Sequence, residues 1–485
     1  MSTPAALFYP AIRWDAQRGF ESQHAAIDEA LELGVGGFII FGGPSEQVVS
    51  LTERIHAGSV RPLLIGADLE RGAGQQFLGA TPLPPLAAVA SLDSIDDIRR
   101  AASLTAREAR SLGVNWVYAP DCDLDIEPDN PIIGTRSFGG DPERVARYAT
   151  AWIEGCQGEK ALACAKHFPG HGRTTTDSHA ELPRVDASAS ELRSTDLIPF
   201  RAAIAAGVAS VMSAHVQFPA LDSSGAPGTL SSKILRDLLR DELGFRGLVV
   251  TDALIMEGVL GGGESEAVVR ALEAGCDCLL YPNELANSVL AVERAIESGR
   301  LDQERIQGAL ERREHWAGWA KMNAAPSSAK DDSAWAKQLA ERTVHSIGSA
   351  EPELSSSALV LIVDDDIGGP YPSPSRDPFL ETLRERGVRV LTDENEPGAN
   401  GAPAIIALYA DIRAWKGRPG YSEKSIKRVA ELVEAHKANG VTAVLFSHPR
   451  LAPSLGLEVP MLCAWGGEAV MQRAAARVLA GSIKR

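Results

Sequence analysis

The sequence lacks the features that mark several classes of protein. Its 6 cysteines are scattered over 485 residues, with no C-x-x-C pair and no zinc-binding spacing, so neither a disulfide framework nor a zinc module is indicated. No apolar run reaches the roughly 20 residues that a membrane helix needs. The N-terminal segment MSTPAALFYPAIRWD has no basic start followed by a long apolar core, as a secretory signal would have. We therefore expect reduced thiols, no membrane partner and a cytoplasmic location.

The chain also has fewer basic than acidic residues. Lys and Arg number 48 against 64 Asp and Glu, which gives a formal net charge of −16. Such a chain repels the phosphates of nucleic acid, so no nucleic-acid partner is expected. The glycines at 42–43 and 261–263 form no G-x-G-x-x-G frame and precede no lysine, which argues against a nucleotide site. Four histidines fall between residues 167 and 215, but without the H-E-x-x-H spacing of a zinc site, so we expect neither metal nor organic cofactor.

What the first 320 residues do contain is a regular alternation of short apolar runs and longer amphipathic stretches. The runs predict strands at 7–12, 37–41, 63–67, 115–119, 161–165, 208–213, 247–251 and 276–280. Strands that alternate with helices predict an α/β fold with a (β/α)8 TIM-type barrel, although an open doubly wound sheet fits the same pattern. Polar residues cluster just after the strands, where barrel enzymes carry their catalytic groups, and this favours the barrel.

The length of the chain predicts more than one domain. Residues 323–334, NAAPSSAKDDSA, are typical of a linker, and a helix is expected at 335–344. Further strands are predicted at 358–363, 388–391, 404–409, 442–446 and 461–464. We therefore predict a catalytic barrel at 1–322, a linker and connecting helix at 323–350, and a smaller C-terminal α/β sandwich domain at 351–485.

Two places along the barrel carry residues suited to catalysis. The predicted strand 161–165 runs into the loop KHFPGHGRTTTDSHAELP, which is too rich in glycine and proline for regular structure. Within it, Asp177 stands two residues from His179, an arrangement that suits proton transfer but that often makes only turn contacts. Asp252 ends the apolar strand GLVVT, where a carboxylate can act as a nucleophile or can cap the next helix.

The segment KHFPGHG, followed by D-S-H and L-P, resembles the β-N-acetylhexosaminidase branch of glycoside hydrolase family 3. Stretches at 66–68, 119–123, 133–139 and 251–256 match the same family in the same order. The resemblance implies a retaining exo-β-N-acetylglucosaminidase that forms a covalent glycosyl-enzyme. It places Asp252 at the nucleophile position, and it makes His179, supported by Asp177, the acid and base.

The resemblance also implies a set of residues that hold the terminal sugar of a small saccharide. These substrate-binding residues are Asp68, Arg136, Lys166 and His167. His171 and His215 match family positions too, either at the site or as holders of loop geometry. The implied substrates are cell-wall or chitin-derived saccharides, and the implied context is peptidoglycan recycling.

The chain departs from the family pattern after the third strand. Where D-x-E-G-G-R-V-x-R is expected, residues 68–76 read DLERGAGQQ, so Ala73 and Gln76 replace both arginines. The second of these normally helps to hold the terminal sugar, which leaves the preference for N-acetylglucosamine open. Three other functions remain: a phosphorylase, because a neutral imidazole repels phosphate less than a carboxylate does; a β-glucosidase; and an inactive saccharide-binding protein. The oligomeric state is not indicated.

Overall fold

The computed structural model describes residues 3–176, 182–255, 263–321, 330–348, 351–352, 354–366, 374–411 and 416–482. The chain forms two compact units. The first contains Met1–Pro82, Ile95–Glu127 and Ser137–Asp332, and the second contains Leu83–Ser94, Pro128–Arg136 and Ser333–Arg485. The second unit thus takes two short stretches from within the range predicted as the barrel. The predicted domain limits themselves stay a prediction.

The first unit is built on parallel strands that follow one another in chain order. They are β1 (Phe8–Tyr9), β2 (Ala11–Arg13), β3 (Gly37–Phe41), β4 (Leu64–Ala67), β5 (Trp116–Val117), β6 (Leu162–Phe168), β7 (Ser210–Ser213), β8 (Leu248–Val250) and β9 (Leu279–Leu280). Strands β2 to β8 form one sheet, and β1 pairs with β9. A parallel bridge between Val250 and Cys278 continues the ladder from β8 to the β9 segment. The predicted α/β barrel architecture is confirmed.

The first predicted strand is divided in two by Pro10, and this division closes the barrel. A proline nitrogen cannot donate to a ladder, and Pro10 contributes only its carbonyl oxygen, which accepts the Ile39 N–H at 3.1 Å. Before the proline, β1 pairs with β9; after it, β2 pairs with β3. One short stretch of chain therefore joins the last strand to the rest of the sheet.

Large side chains fill the barrel. The inward cluster includes Tyr9, Ile39, Leu64, Trp116, Tyr118, Leu162, Cys164, Leu248, Val250 and Leu280. Gly66 on β4 makes room for one of them, because a Cβ at this position would lie 2.3 Å from the Tyr118 hydroxyl oxygen. The interior is thus a packed core and not a pore, as barrels of this size require.

Helices separate the strands in both units. They are α1 (His24–Leu33), α2 (Ser45–Ala57), α3 (Leu86–Ser91), α4 (Ile95–Ser111), α5 (Pro142–Gly158), α6 (Ala189–Ser194), α7 (Leu197–Ala205), α8 (Glu264–Ala274), α9 (Leu285–Glu297), α10 (Gln303–Trp319), α11 (Lys330–Thr343), α12 (Asp377–Glu385), α13 (Glu423–His436) and α14 (Ala469–Gly481), with a π-helix at Lys233–Glu242. Within the described ranges, every helix is too short or too polar to cross a bilayer.

The second unit contains a mixed sheet. Its strands are β10 (His345–Ile347), β11 (Ser357–Asp364), β12 (Arg389–Leu391), β13 (Ala404–Tyr409), β14 (Val441–Phe446) and β15 (Met461–Cys463). The order is β10-β15-β14-β13-β11-β12, and all pairs are parallel except β10 with β15. The five predicted strands are present, and the antiparallel edge strand β10 was not predicted.

Candidate active site

Three predicted residues share one face of the barrel because of the two-residue period of a strand. Leu64 on β4, Cys164 on β6 and Val250 on β8 all point into the barrel core. The same alternation, continued two residues at a time along each strand, reaches Lys166 near the carboxyl end of β6 and Asp68 and Asp252 just beyond the ends of β4 and β8. The carboxyl ends of parallel strands meet on one face of a barrel, which is the face where barrel enzymes react. The alternation of side chains along each strand therefore brings these three residues to the same mouth of the barrel.

Lys166 is a buried cation with two carboxylate partners. Its Nζ lies 2.9 Å from Asp68 Oδ1 and 2.7 Å from Glu70 Oε1, and its side chain is only 2% exposed. Asp68, by contrast, keeps 31% of its side chain exposed, so it can meet a ligand while it holds the lysine. Glu70 was not predicted as a site residue, although the D-x-E spacing after β4 places it two residues beyond Asp68.

Asp123 holds His167 and the loop that follows it. Its Oδ2 lies 2.7 Å from His167 Nδ1 and accepts the His167 backbone N–H at 3.2 Å, and its Oδ1 accepts the His171 backbone N–H at 2.5 Å. A carboxylate only accepts hydrogen bonds, so Nδ1 of His167 carries the proton. His167 is thus oriented by a buried carboxylate from the neighbouring strand end.

The same residues also form a possible set of metal ligands. Ligand atoms of Asp121, Asp123 and His167 lie within 4.8 Å of one another, and all three residues are buried. Both oxygens of Asp123 nevertheless accept N–H groups, and Oδ1 of Asp121 accepts the Asp123 backbone N–H at 2.9 Å. These hydrogen bonds order the loop that follows β5.

His215 contacts the backbone next to the predicted nucleophile. Its Nε2 lies 3.2 Å from the carbonyl oxygen of Ala253, and its Nδ1 lies 2.7 Å from Thr229 Oγ1. His171 contacts its own loop, with Nδ1 2.8 Å from Thr174 Oγ1. Of the two histidines whose role was open, His215 is the one that can fix the main chain beside Asp252.

Asp252 itself lies at the end of a well-anchored strand. Its Oδ1 accepts the Ala253 N–H at 2.7 Å, and the preceding Thr251 is tied to the β9 segment by its N–H and by its hydroxyl. The carboxylate is half-buried. Beneath it, burial raises the pKa of the Cys164 thiol to about 12, with smaller raising effects from Asp68 and Asp252, so this cysteine stays neutral.

The remaining predicted residues fall elsewhere. Asp177 and His179 lie outside the described residues, so their roles stay predictions. Arg136 belongs to the second unit, where its Nη1 donates to the Ile132 carbonyl oxygen at 3.1 Å, and its role as a sugar contact also stays a prediction.

The two positions that depart from the family pattern are occupied by local contacts. Ala73 is fully buried in the turn after β4. Gln76 Oε1 accepts the N–H of Gly42, the residue that follows β3, at 3.1 Å. Gln76 therefore connects the segment after β4 to the end of β3.

Comparison with known proteins gives a consistent result. Residues 15–314 match the model of the glycosyl hydrolase family 3 N-terminal domain. A β-N-acetylglucosaminidase/β-glucosidase of Cellulomonas fimi is 37% identical over 290 residues, a match that covers 58% of this chain and 51% of that protein. A β-hexosaminidase of Thiobacillus denitrificans is 39% identical over 270 residues, covering 53% of this chain and 74% of that one. The chain thus spans about half the length of the first relative and about three quarters of the second.

A solved structure extends the similarity to both units. The family 3 β-N-acetylglucosaminidase of a Paenibacillus species has a TM-score of 0.84 and 28% sequence identity, and the match covers 99% of this chain and 96% of that chain. A β-glucoside phosphorylase matches with a TM-score of 0.85 at 22% identity, a level at which the likeness concerns the fold alone.

Proposed function

We propose, because the chain belongs to glycosyl hydrolase family 3, that it is a retaining exo-β-N-acetylglucosaminidase. The observation that carries this proposal is the convergence of Asp68, Lys166 and Asp252 on one inward face at the carboxyl ends of their strands. The relatives named β-hexosaminidase and β-N-acetylglucosaminidase support the same activity.

The proposed reaction has two steps. In the first, an Asp252 carboxylate oxygen attacks the anomeric carbon while His179, supported by Asp177, protonates the leaving oxygen, so the glycosidic bond breaks and an ester to Asp252 forms. In the second, His179 removes a proton from water, the water oxygen attacks the same carbon, and the ester bond breaks. The sugar leaves with its original anomeric configuration, and Asp252 is an anion again.

Sugar binding in this proposal depends on a mixture of donors and acceptors. Lys166 donates to hydroxyls of the sugar, His167 forms hydrogen bonds with them, Asp68 accepts from them, and Arg136 adds donors. Lys166 carries three N–H groups, and two of them are directed to Asp68 and Glu70. A sugar hydroxyl between Lys166 and Asp68 would therefore meet one donor and one acceptor.

The test is a panel of aryl glycosides assayed with and without phosphate. We expect the N-acetylglucosaminide to be hydrolysed faster than the glucoside, without phosphate stimulation, and proton NMR to show the β-anomer of N-acetylglucosamine as the first product. Asp252→Asn should abolish turnover, whereas Asp241→Asn, at an exposed carboxylate, should leave it unchanged. A sugar 1-phosphate product would identify a phosphorylase instead, a faster glucoside would identify a β-glucosidase, and an inactive wild type would favour saccharide binding alone.

The natural substrates we propose are small saccharides from the cell wall or from chitin. Peptidoglycan recycling in the cytoplasm is the corresponding context. Release of N-acetylglucosamine from a disaccharide of N-acetylglucosamine and anhydro-muramic acid, compared with release from chitobiose at equal concentration, distinguishes the two sources by their kcat/KM.

A further inference from the structure

Arg13 lies at the barrel mouth on the same inward face as the predicted site residues. It is the last residue of β2, and Ala11, two positions earlier, packs against the barrel core. Its partner across the ladder is Phe41 at the end of β3, and Tyr281 directly follows β9. Phe41 and Tyr281 pack against the same core. Arg13 therefore occupies on its strand the position that Asp68, Lys166 and Asp252 occupy on theirs.

Two aromatic rings hold the arginine in place. Arg13 Nε donates to the Tyr281 hydroxyl oxygen at 2.6 Å. The central guanidinium carbon lies 4.2 Å from the centre of the Phe41 ring and 5.1 Å from that of Tyr281. Stacking on aromatic faces fixes a planar guanidinium without using its outer edge. Among the described residues, Nη1 and Nη2 have no hydrogen-bond acceptor, so the positioned group presents its outer N–H groups to whatever enters the mouth.

The arginine lies on the arc between the proposed nucleophile and the carboxylate that holds Lys166. Around the barrel, Asp252 follows β8, Tyr281 follows β9, Arg13 ends β2, Phe41 ends β3 and Asp68 follows β4. Tyr281 also lines a cavity of about 580 Å³ together with Ile255, three residues beyond Asp252. Arg13 therefore borders the barrel mouth between the strands that lead to these two carboxylates.

Without Arg13, the carboxylates at the barrel mouth supply hydrogen-bond acceptors and few donors. Asp68, Glu70 and Asp252 are acceptors, and the charge of Lys166 is already shared between two of them. A guanidinium has only donors, and its two outer nitrogens match two neighbouring hydroxyl oxygens of a pyranose. We propose that Arg13 is a substrate-binding residue whose Nη1 and Nη2 donate to hydroxyl oxygens of the terminal sugar, and that it contributes to the choice of sugar. This inference rests on the proposed function, since it concerns the same site.

The test removes the donors and keeps the packing. Arg13→Met retains an apolar chain between the two rings, and Arg18→Met, at a side chain that is 70% exposed, serves as the matched control. With an aryl N-acetylglucosaminide, Arg13→Met should lower kcat/KM about 10- to 100-fold, as expected for lost hydrogen bonds from a charged donor. The loss should fall mainly on KM, and the thermal midpoint should change no more than in the control.

Substrates that lack single hydroxyls separate a sugar contact from a structural role. The 3-, 4- and 6-deoxy analogues are assayed with the wild type and with Arg13→Met. On at least one analogue the two enzymes should have a similar kcat/KM, because that analogue already lacks the hydroxyl oxygen that Arg13 contacts. An equal loss on all analogues, or an unchanged kcat/KM on the parent substrate, would overturn the inference.

A binding measurement keeps this inference distinct from the proposed function. Isothermal titration of N-acetylglucosamine into Asp252→Asn and into the double variant Asp252→Asn/Arg13→Met needs no turnover. Binding about tenfold or more weaker in the double variant supports the contact even if the wild type proves inactive, and equal affinity refutes it even if the wild type is a glycosidase.

Discussion

At the scale of single residues, Lys166 depends on two carboxylates that follow the same strand. Glu70 is 6% exposed and lies 2.7 Å from the ammonium group, closer than the partly exposed Asp68. A buried ammonium that loses one anion keeps its desolvation cost and loses part of the attraction that offsets it. Glu70 is therefore expected to position the lysine while Asp68 remains available to the sugar.

Substitution of Glu70 by Gln tests this division of roles. We expect the free energy of unfolding to fall by about 2 kcal/mol, the scale of a hydrogen bond to a charged group. We also expect KM for the aryl N-acetylglucosaminide to rise, because Lys166 would turn towards Asp68. Urea unfolding and steady-state kinetics measure the two effects, with the exposed Glu53→Gln as control. If stability and KM both matched the wild type, Lys166 would not need its second carboxylate.

The site residues predicted from the sequence and those added by the structure differ in a physical way. Asp68, Lys166, His167 and Asp252 lie near the ends of apolar strands or just beyond them and match a family pattern, so both arguments predict them. Glu70 and Arg13 acquire their roles only through partners on other parts of the barrel, namely Lys166 on β6 and Tyr281 after β9. The strand alternation could have placed Arg13 at the mouth, but the two rings that hold it become neighbours only when the barrel closes.

At the scale of elements, the loop after β6 depends on a close approach between two stretches of backbone. A Cβ built on Gly172 would lie 1.9 Å from the carbonyl oxygen of Leu124, which follows Asp123 in the neighbouring loop. Backbone atoms cannot move aside as the end of a flexible side chain can. Gly172, the second glycine of the segment PGHG, thus lets the loop pack against the segment that orients His167.

Gly172→Ala should therefore displace this loop. We expect a loss of about 1–3 kcal/mol, typical of overpacking in a well-packed region, and a clear fall in kcat as the loop moves. Gly158→Ala is the matched control, since it ends α5 and a Cβ there meets nothing within 4 Å. Chemical unfolding and kinetics of the two variants side by side provide the measurement. Equal behaviour of both variants would mean that the loop tolerates the displacement.

The elements that sequence analysis found or missed follow from the strength of their patterns. The barrel strands are apolar and lie between long helical stretches, so their positions along the chain could be predicted, whereas the division of the first one at Pro10 could not. Helices α9 and α10 follow one another closely, with the break around Gly299 and Asp302, and the Asp302 side chain caps α10 by accepting the Glu304 N–H. β10 is a short, partly exposed edge strand, and three residues show no periodicity that could reveal it.

At the scale of the whole molecule, the barrel is joined near its seam by one buried carboxylate. Asp277 is fully buried just before β9. Its Oδ2 accepts the Val249 N–H of β8 at 2.9 Å and lies 2.5 Å from Arg240 of the π-helix, while its Oδ1 lies 2.8 Å from Arg312 of α10. Arg305 of α10 lies at 3.3 Å. A single side chain therefore connects β8, the π-helix and α10 at the point where the ladder passes to β9.

Because Asp277 is charged, its contribution to the stability of the fold depends on pH. Burial alone would raise its pKa, but the three guanidinium groups outweigh that effect and hold the pKa below its ordinary value of 3.8. A carboxyl group whose pKa is lower in the folded state stabilises the fold above the unfolded pKa, and this stabilisation is lost as the pH falls through the folded value. Its full effect is therefore present above about pH 5, and it declines below 3.8.

Asp277→Asn should accordingly destabilise the protein most at neutral pH. Removal of the anion leaves three arginines facing one another at a buried junction, for which we expect a loss of about 3–5 kcal/mol. The difference in unfolding free energy between wild type and variant should narrow as the pH is lowered below 3.8, because the wild-type carboxyl group takes up a proton first in the unfolded chain and, at still lower pH, in the folded protein. Denaturant unfolding at a series of pH values measures this difference in unfolding free energy. The control is Glu242→Gln, at an exposed ion pair with Arg193, for which we expect the small loss of stability that is typical of a surface carboxylate. A gap that stayed constant from neutral to strongly acidic pH would mean that Asp277 supports the seam through its shape and hydrogen bonds and not through its charge.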